Sequence, residues 1–62
     1  MPVMKIGDVV KLHSSTRRNG KFAGQVGLIV SFDKDRHASF EVNVGGEIIN
    51  FHMTQIEEII ND

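Results

Sequence analysis

The chain contains no cysteine, no tryptophan and no tyrosine, and its single proline is Pro2. Without cysteine it has neither disulfides nor thiolate metal ligands, which is compatible with a reducing compartment. Aromatic side chains line the grooves that bind polyproline and the cages that bind methylated lysine. The chain has only four phenylalanines, and a core of this size needs at least three of them. Both kinds of recognition are therefore excluded.

A strong charge of one sign and long apolar runs are also missing. Seven basic and eight acidic residues give a net charge of −1, so the chain lacks the basic excess of a general polyanion binder. No apolar run approaches the roughly 20 residues of a transmembrane helix. Residues 1–5 lack the apolar stretch of a signal peptide. We therefore expect a soluble cytoplasmic protein that makes no membrane contact.

A chain of 62 residues accommodates one domain with a modest core, and it shows no repeat, linker or low-complexity tract. We therefore expect a single domain over residues 1–62. A domain of this size buries only about 60% of the surface of its unfolded chain, so its stability margin is small. Self-association is one way in which such a domain gains stability.

The clearest strand signal is the segment 38–45. Its apolar residues Phe40, Val42 and Val44 alternate with polar ones, the period of a half-buried strand. Two glycines follow at once and supply the positive φ angles of a two-residue hairpin turn. The chain is therefore predicted to return antiparallel over residues 47–53.

Two more strands are predicted upstream, at 8–13 and 25–33, with a polar loop between them. At the end of the chain, Thr54–Glu57 matches a capping box. Residues 54–60 are therefore predicted to form either a helical turn followed by a closing strand at 58–60, or a two-turn helix.

These elements predict an all-β fold, a small five-stranded SH3-like barrel with a helical turn before the last strand. Alternation along the predicted strands also selects the residues that face its interior. The predicted core is Ile6, Val10, Leu12, Val26, Leu28, Val30, Phe32, Phe40, Val42, Val44, Ile49, Phe51, Met53, Ile56 and Ile59.

The segment Gly7–Val30 resembles the KOW motif of ribosomal proteins and transcription elongation factors. A Gly-Asp-x-Val start precedes three glycines on the spacing of that motif, Gly20, Gly24 and Gly27, and apolar residues follow them. The resemblance covers a little under half of the chain and implies an SH3-like barrel that contacts RNA or a nucleoprotein. The segment 14–19 departs from the motif because it is longer than the usual short turn.

The chain also resembles the plasmid-borne type II dihydrofolate reductases, small SH3-like barrels that assemble as tetramers around one pore. The resemblance rests on the start at Gly7, on Gly24-Gln25 and on the ending at Ile59. The catalytic segment of those enzymes carries a Val-Gln-Ile-Tyr run. The corresponding stretch here, 48–51, lacks both the glutamine and the tyrosine. The resemblance therefore implies an assembly but neither a cofactor nor reductase activity.

Three cations lie close together on the predicted loop, at Arg17, Arg18 and Lys21. Cations spaced in this way are suited to clamp phosphates or polar groups of a partner through charge-assisted hydrogen bonds. The alternative is a solvated loop whose charges serve solubility. Phe22 is predicted to plug the core beneath this loop instead of stacking on a base.

The sequence predicts neither a metal site nor a catalytic site. His13, His37 and His52 lie on three separate elements and lack the close spacing of a zinc motif. No nucleophile and base form a recognisable pair, and a barrel this small offers no evident substrate cavity. We therefore expect no enzymatic activity.

Aliphatic residues are left over on the outward parity of the predicted strands, among them Val9, Ile29, Ile48 and Ile60. Exposed aliphatics on neighbouring strands indicate a contact surface, unless barrel curvature or the N-terminal arm covers them. The leading hypothesis is a non-enzymatic module that docks onto a protein or nucleoprotein assembly, or associates with itself, through Val9, Ile29 and Ile48. The first alternative is weak RNA or DNA binding through residues 17–21, and the second is a reductase-like pore enzyme.

Overall fold

The structure is a computed structural model that describes residues 4–33, 35, 36 and 38–60. Five antiparallel strands follow one another as β1 (Val9–Leu12), β2 (Val26–Phe32), β3 (Ser39–Val44), β4 (Glu47–His52) and β5 (Ile56–Ile59). They form one sheet in the order β4-β3-β2-β1-β5. A 3₁₀ turn, Met53–Gln55, precedes β5. The predicted all-β class with a helical turn before the last strand is confirmed.

The hairpin of β3 and β4 forms as predicted. Gly45 and Gly46 have φ angles of 60° and 95°. A two-residue hairpin turn of type I′ requires positive φ at both of its central residues. From Val44 opposite Glu47, the pairing continues without a break to Ser39 opposite His52. The other end of β3 connects to β2 through residues 33–38, of which Lys34 and His37 lie outside the described residues.

The core consists of side chains from four of the five strands, with two isoleucines of β5 packed against it. Its fully buried members are Val10, Leu12, Ile29, Phe40, Val42, Val44 and Phe51. Ile49, Ile56 and Ile59 are partly buried against this cluster. The sequence predicted all of these except Ile29. Since both edge strands contribute to one cluster, the sheet curves around a single core.

Strand β2 faces the opposite way from its prediction. Ile29, predicted to face outward, is only 1% exposed, and Gly27 beside β3 is also buried. A Cβ atom at Gly27 would overlap Val42 Cγ1 and stand 2.9 Å from the carbonyl oxygen of Asn43. Because only glycine allows this approach, the strand packs its glycine-bearing face on the core. Its other face carries Val26, Leu28 and Val30, which were predicted to be inside and are 36–47% exposed. Phe32 lies beyond the irregularity between Ile29 and Ser31, opposite the buried Phe40 and edge to face with it at 6.0 Å between ring centroids. It is therefore on the core-facing side, as predicted, but it is 41% exposed.

Two more residues of the predicted core are exposed because they lie in turns, where strand alternation does not apply. Ile6 is 59% exposed and precedes Gly7, which has a φ of 96°. The buried carboxylate of Asp8 closes this turn by accepting hydrogen bonds from the backbone N and the Nζ of Lys5, at 3.0 and 2.8 Å. Met53 is 49% exposed and opens the 3₁₀ turn before β5.

The 3₁₀ turn is capped by different residues from those predicted. His52, not Thr54, is the N-cap: its Nδ1 accepts from the backbone N of Thr54 at 3.2 Å. The Oε1 atom of Gln55 accepts from the backbone N of His52 at 2.9 Å, which completes the capping box. The predicted box is therefore wrong by two residues, and β5 begins at Ile56 instead of residue 58. Of the two alternatives, the turn followed by a strand is correct.

The polar segment between β1 and β2 is more ordered than a loop. It contains a short helix, α1 (Thr16–Asn19), followed by a 3₁₀ turn over Gly20–Phe22. The backbone N atoms of Arg18 and Asn19 donate to the carbonyl of Ser15 at 3.1 and 3.0 Å. No described helix has the length and apolar character that a membrane span requires.

Candidate functional site

A row of outward side chains crosses the sheet on the face away from the core. Val9 of β1 lies opposite Leu28 of β2, Leu28 lies opposite Asn43 of β3, and Asn43 lies opposite Ile48 of β4. Ile60 extends the row at the other end, where its backbone N donates to the carbonyl of Val9 at 2.9 Å. Four of the five members of this row are aliphatic.

Two more valines of β2 lie beside the row, one on each side of Leu28. Val26 is opposite Lys11 of β1, and Val30 lies at the irregularity between Ile29 and Ser31 where β2 bulges against β3. We call the six aliphatic residues on this face the outer stripe. Its members are Val9, Val26, Leu28, Val30, Ile48 and Ile60.

The outer stripe is open to solvent. Val9 is partly buried, and the exposed fractions of the other five side chains lie between 36% and 51%. Isolated aliphatic residues are common on protein surfaces, but a contiguous apolar patch on one face is characteristic of a contact surface. All members of the stripe except Ile60 lie on strands instead of loops, so the backbone ladder of the sheet holds them in place.

The charges that border the outer stripe are only partly paired, since Glu41 and Glu58 have no ion-pair partner among the described residues. Lys11, whose backbone is paired with Val26, places its Nζ 3.5 Å from the Oε2 of Glu57. Glu58 is the neighbour of Lys11 on β5. A partner that covers the stripe therefore meets a mixed polar rim instead of a charge of one sign.

Of the three predicted interface residues, the structure brings Val9 and Ile48 together on the outer stripe. Ile29 is in the core, so its prediction as a surface anchor is wrong. The prediction missed Val26, Leu28 and Val30, which it had assigned to the core. The signal that would have found them is Gly27, because a glycine inside a strand indicates a close backbone approach on its own face.

The basic segment is only partly available to a ligand. Arg18 donates from Nη1 to the carbonyl of Thr54 at 2.9 Å, and Lys21 Nζ lies 3.5 Å from Glu47 Oε2 and 5.1 Å from the centroid of the Phe22 ring. Arg17 is exposed, and among the described residues it has no hydrogen-bond or ion-pair partner. The three cations are therefore not a free cluster, since two of them make contacts within the chain.

Phe22 lies beneath the basic segment, as predicted. It packs against the core and meets Phe51 edge to face, with 6.1 Å between the ring centroids and an angle of 90° between the rings. This geometry is typical of stabilising aromatic pairs. Stacking of Phe22 on a base would require it to leave this contact.

Beside the basic segment, a polar network joins α1 to the 3₁₀ turn before β5. Asn19, only 6% exposed, donates from Nδ2 to the carbonyls of His13 and Gln55 at 2.8 and 3.1 Å. Gln55 Nε2 in turn donates to Asn19 Oδ1 at 2.9 Å and to the carbonyl of Arg18 at 2.8 Å. Every polar atom of the Asn19 amide is thus used inside the chain, so this network is structural.

The histidines do not come together. His52 caps the 3₁₀ turn, the Nδ1 of His13 is buried without a hydrogen-bond partner among the described residues, and His37 lies outside them. Over the part of the chain that the structure describes, no three metal-ligating side chains are grouped and no cavity opens.

Comparison of the chain with protein-family models, with curated proteins and with solved structures finds no match.

Proposed function

We propose that the chain is a non-enzymatic protein-binding module that docks onto a protein or nucleoprotein assembly, or associates with itself, through its outer stripe. The partner surface would be aliphatic and poor in charge, since a charged surface placed on the stripe would lose its hydration without gaining ion pairs. The resemblance to KOW-type SH3-like barrels supports a binding role, and the curvature of the sheet around one core supports the barrel.

The observation that carries this proposal is the orientation of β2. The strand buries Gly27 and Ile29 and exposes Val26, Leu28 and Val30. The central strand of the sheet therefore presents three aliphatic side chains to solvent. Burying apolar surface contributes about 25 cal/mol per Å², so covering the stripe would supply several kcal/mol of binding free energy before the costs of association.

Site-specific photo-crosslinking in intact cells tests the proposal. A photoreactive residue is placed either at Ile48, on the stripe, or at Met53, which opens the 3₁₀ turn after the other end of the same strand. The two side chains are almost equally exposed, at 51% and 49%, so non-specific capture would label both. We expect a discrete adduct from position 48 only, and we expect it to survive high salt because the contact is apolar.

Competition makes this experiment specific to the stripe. An excess of the unmodified chain should suppress the adduct, whereas an excess of the Leu28→Asp variant should not. Equal labelling from positions 48 and 53, or equally effective competition by Leu28→Asp, would overturn the proposal.

A further inference from the structure

We infer that the outer stripe docks a second copy of this chain, face to face across a two-fold axis. This inference rests on the proposed docking function and names its partner. An isologous interface uses the same patch on both subunits, so the patch must complement itself. A stripe built from aliphatic side chains meets that requirement, because each apolar side chain of one copy buries equally well against those of the other.

The electrostatics of the stripe allow a like partner. Its six side chains carry no charge, and the nearest cation, Lys11, is paired with Glu57 at 3.5 Å within its own chain. The carboxylates of Glu41 and Glu58 border the stripe without an ion-pair partner among the described residues. The two-fold arrangement must therefore place them toward solvent or near Lys11 of the other copy, because unpaired like charges against each other would cost several kcal/mol. The net charge of −1 adds only weak repulsion between copies.

The size of the stripe fits a small dimer interface. From the exposed fractions of five of its members, the stripe offers roughly 400 Å² of apolar surface, within the range of the largest apolar patch on a typical monomer, which is often functional. With the polar rim of Lys11, Asn43 and Glu58, two docked copies would bury about 1,200 Å² in total, the lower limit of specific interfaces. Because transient complexes lie at this low end of interface size, we expect a weak, reversible dimer with a dissociation constant on the order of micromolar.

Burial of the outer stripe by a second copy would also stabilise the folded monomer. Among the described residues, seven hydrophobic side chains are fully buried, and the chain has no cysteine to form a disulfide. Small domains of this kind often need a disulfide, a structural metal or self-association to be stable. Association that occurs only in the folded state stabilises that state by mass action, so the midpoint of thermal unfolding should rise with the concentration of the chain.

Size-exclusion chromatography with light scattering, over a wide range of concentration, tests the inference. We expect the measured mass to rise with concentration from 6.9 kDa to twice that value. The Ile48→Asp and Val26→Asp variants should each weaken the dimer at least tenfold. The Met53→Asp variant is the matched control and should leave it unchanged. Circular dichroism checks that every variant is folded, so that loss of the dimer is not loss of the domain.

The outcomes separate this inference from the proposed function. A wild-type chain that stays monomeric at every concentration overturns the two-fold dimer. In that case, a position-48 crosslink to a different protein would still support docking through the stripe. A dimer that survives Ile48→Asp and Val26→Asp overturns the stripe as its interface. Loss of all position-specific crosslinks in cells, together with a monomer in solution, overturns both proposals.

Discussion

Gly27 faces β3 where the two strands leave no room for a side chain. A Cβ atom there would overlap Val42 Cγ1 and stand 2.9 Å from both Val44 Cγ2 and the carbonyl oxygen of Asn43. The φ angle of Gly27 is not in the left-handed region, so the residue is required for space and not for backbone conformation. This contact sets which face of β2 is buried, and therefore which face is exposed.

We expect Gly27→Ala to destabilise the fold by about 1–3 kcal/mol, the usual cost of inserting a methyl group into a packed interior. Urea denaturation measures this change. Val42→Ala removes the methyl groups that the new Cβ would meet, so Gly27→Ala should cost less in that background than in the wild type. Equal costs in the two backgrounds would show that steric overlap with Val42 is not the cause.

For single residues, the sequence predicted the core correctly in strands where apolar and polar residues alternate. In β3, polar residues separate Phe40, Val42 and Val44, so only one orientation buries apolar side chains. In β2, both faces carry aliphatic residues, and counting apolar residues favours the face with four of them over the face with Ile29. The count failed because close packing at Gly27 outweighs the number of apolar side chains.

Among the elements, α1 and the 3₁₀ turn before β5 are far apart in sequence but share one network of hydrogen bonds. The Asn19 amide donates to two carbonyls, those of His13 and Gln55, and accepts from the Gln55 side chain. The backbone N of His13 also donates to the carbonyl of Gln55 at 2.8 Å. The network therefore fixes where the chain enters β5.

We expect Asn19→Ala to lower the free energy of unfolding by about 2 kcal/mol, because the variant loses three partly buried hydrogen bonds. Arg18→Ala is the matched control in the same helix. It removes one exposed hydrogen bond to the carbonyl of Thr54, so its cost should stay near 0.5 kcal/mol, about the range of ordinary surface substitutions. Chemical denaturation of both variants checks the difference; equal costs would mean that the Asn19 amide does not join the two elements.

Elements with a local signal were predictable, and those that depend on distant partners were not. The two glycines at 45–46 specify their turn without distant partners. The predicted bounds of the hairpin strands are therefore correct to within about one residue. Helix α1 has no apolar periodicity, and its order depends on Gln55, 36 residues from Asn19. The capping box at the end of the chain was misplaced because His52 is an unusual cap, for which the sequence motif gives no signal.

On the scale of the whole molecule, the charge distribution bears on the nucleic-acid alternative. Basic and acidic residues nearly balance. Of the three cations on the basic segment, Arg18 and Lys21 make contacts inside the chain, and Arg17 is the one without a partner among the described residues. Phosphate contacts supply most of the affinity in non-specific binding, so a single free cation supports very little of it.

We therefore expect no saturable binding of a labelled single-stranded RNA at about 0.15 M salt, measured by fluorescence anisotropy. Nucleic-acid binding would be recognised by its dependence on salt and on Arg17. Saturable binding that weakens as salt rises, and that Arg17→Ala reduces more than the control Arg36→Ala does, would make nucleic-acid binding the better proposal.

The pairing of strands across the whole sheet explains why the sequence predicted only some residues of the candidate site. The sequence correctly indicated that aliphatic residues remain outside the core, and it placed Val9 and Ile48 among them. Which residues join them depends on the register between strands, which pairs Val9 with Leu28 and Asn43 with Ile48. A shift of one residue in that register would exchange the two faces of a strand, and the composition of a single strand does not reveal it.

Strand β2 also has a consequence for how this protein can evolve. Its alternate positions serve two purposes: Gly27 and Ile29 maintain the interior, whereas Val26, Leu28 and Val30 form the proposed contact surface. The proposed contact would therefore place adjacent codons under different selective pressures, one for folding and one for association. A lineage that abandoned the association would be free to replace every second residue of this strand with polar ones, while the residues between them stayed fixed.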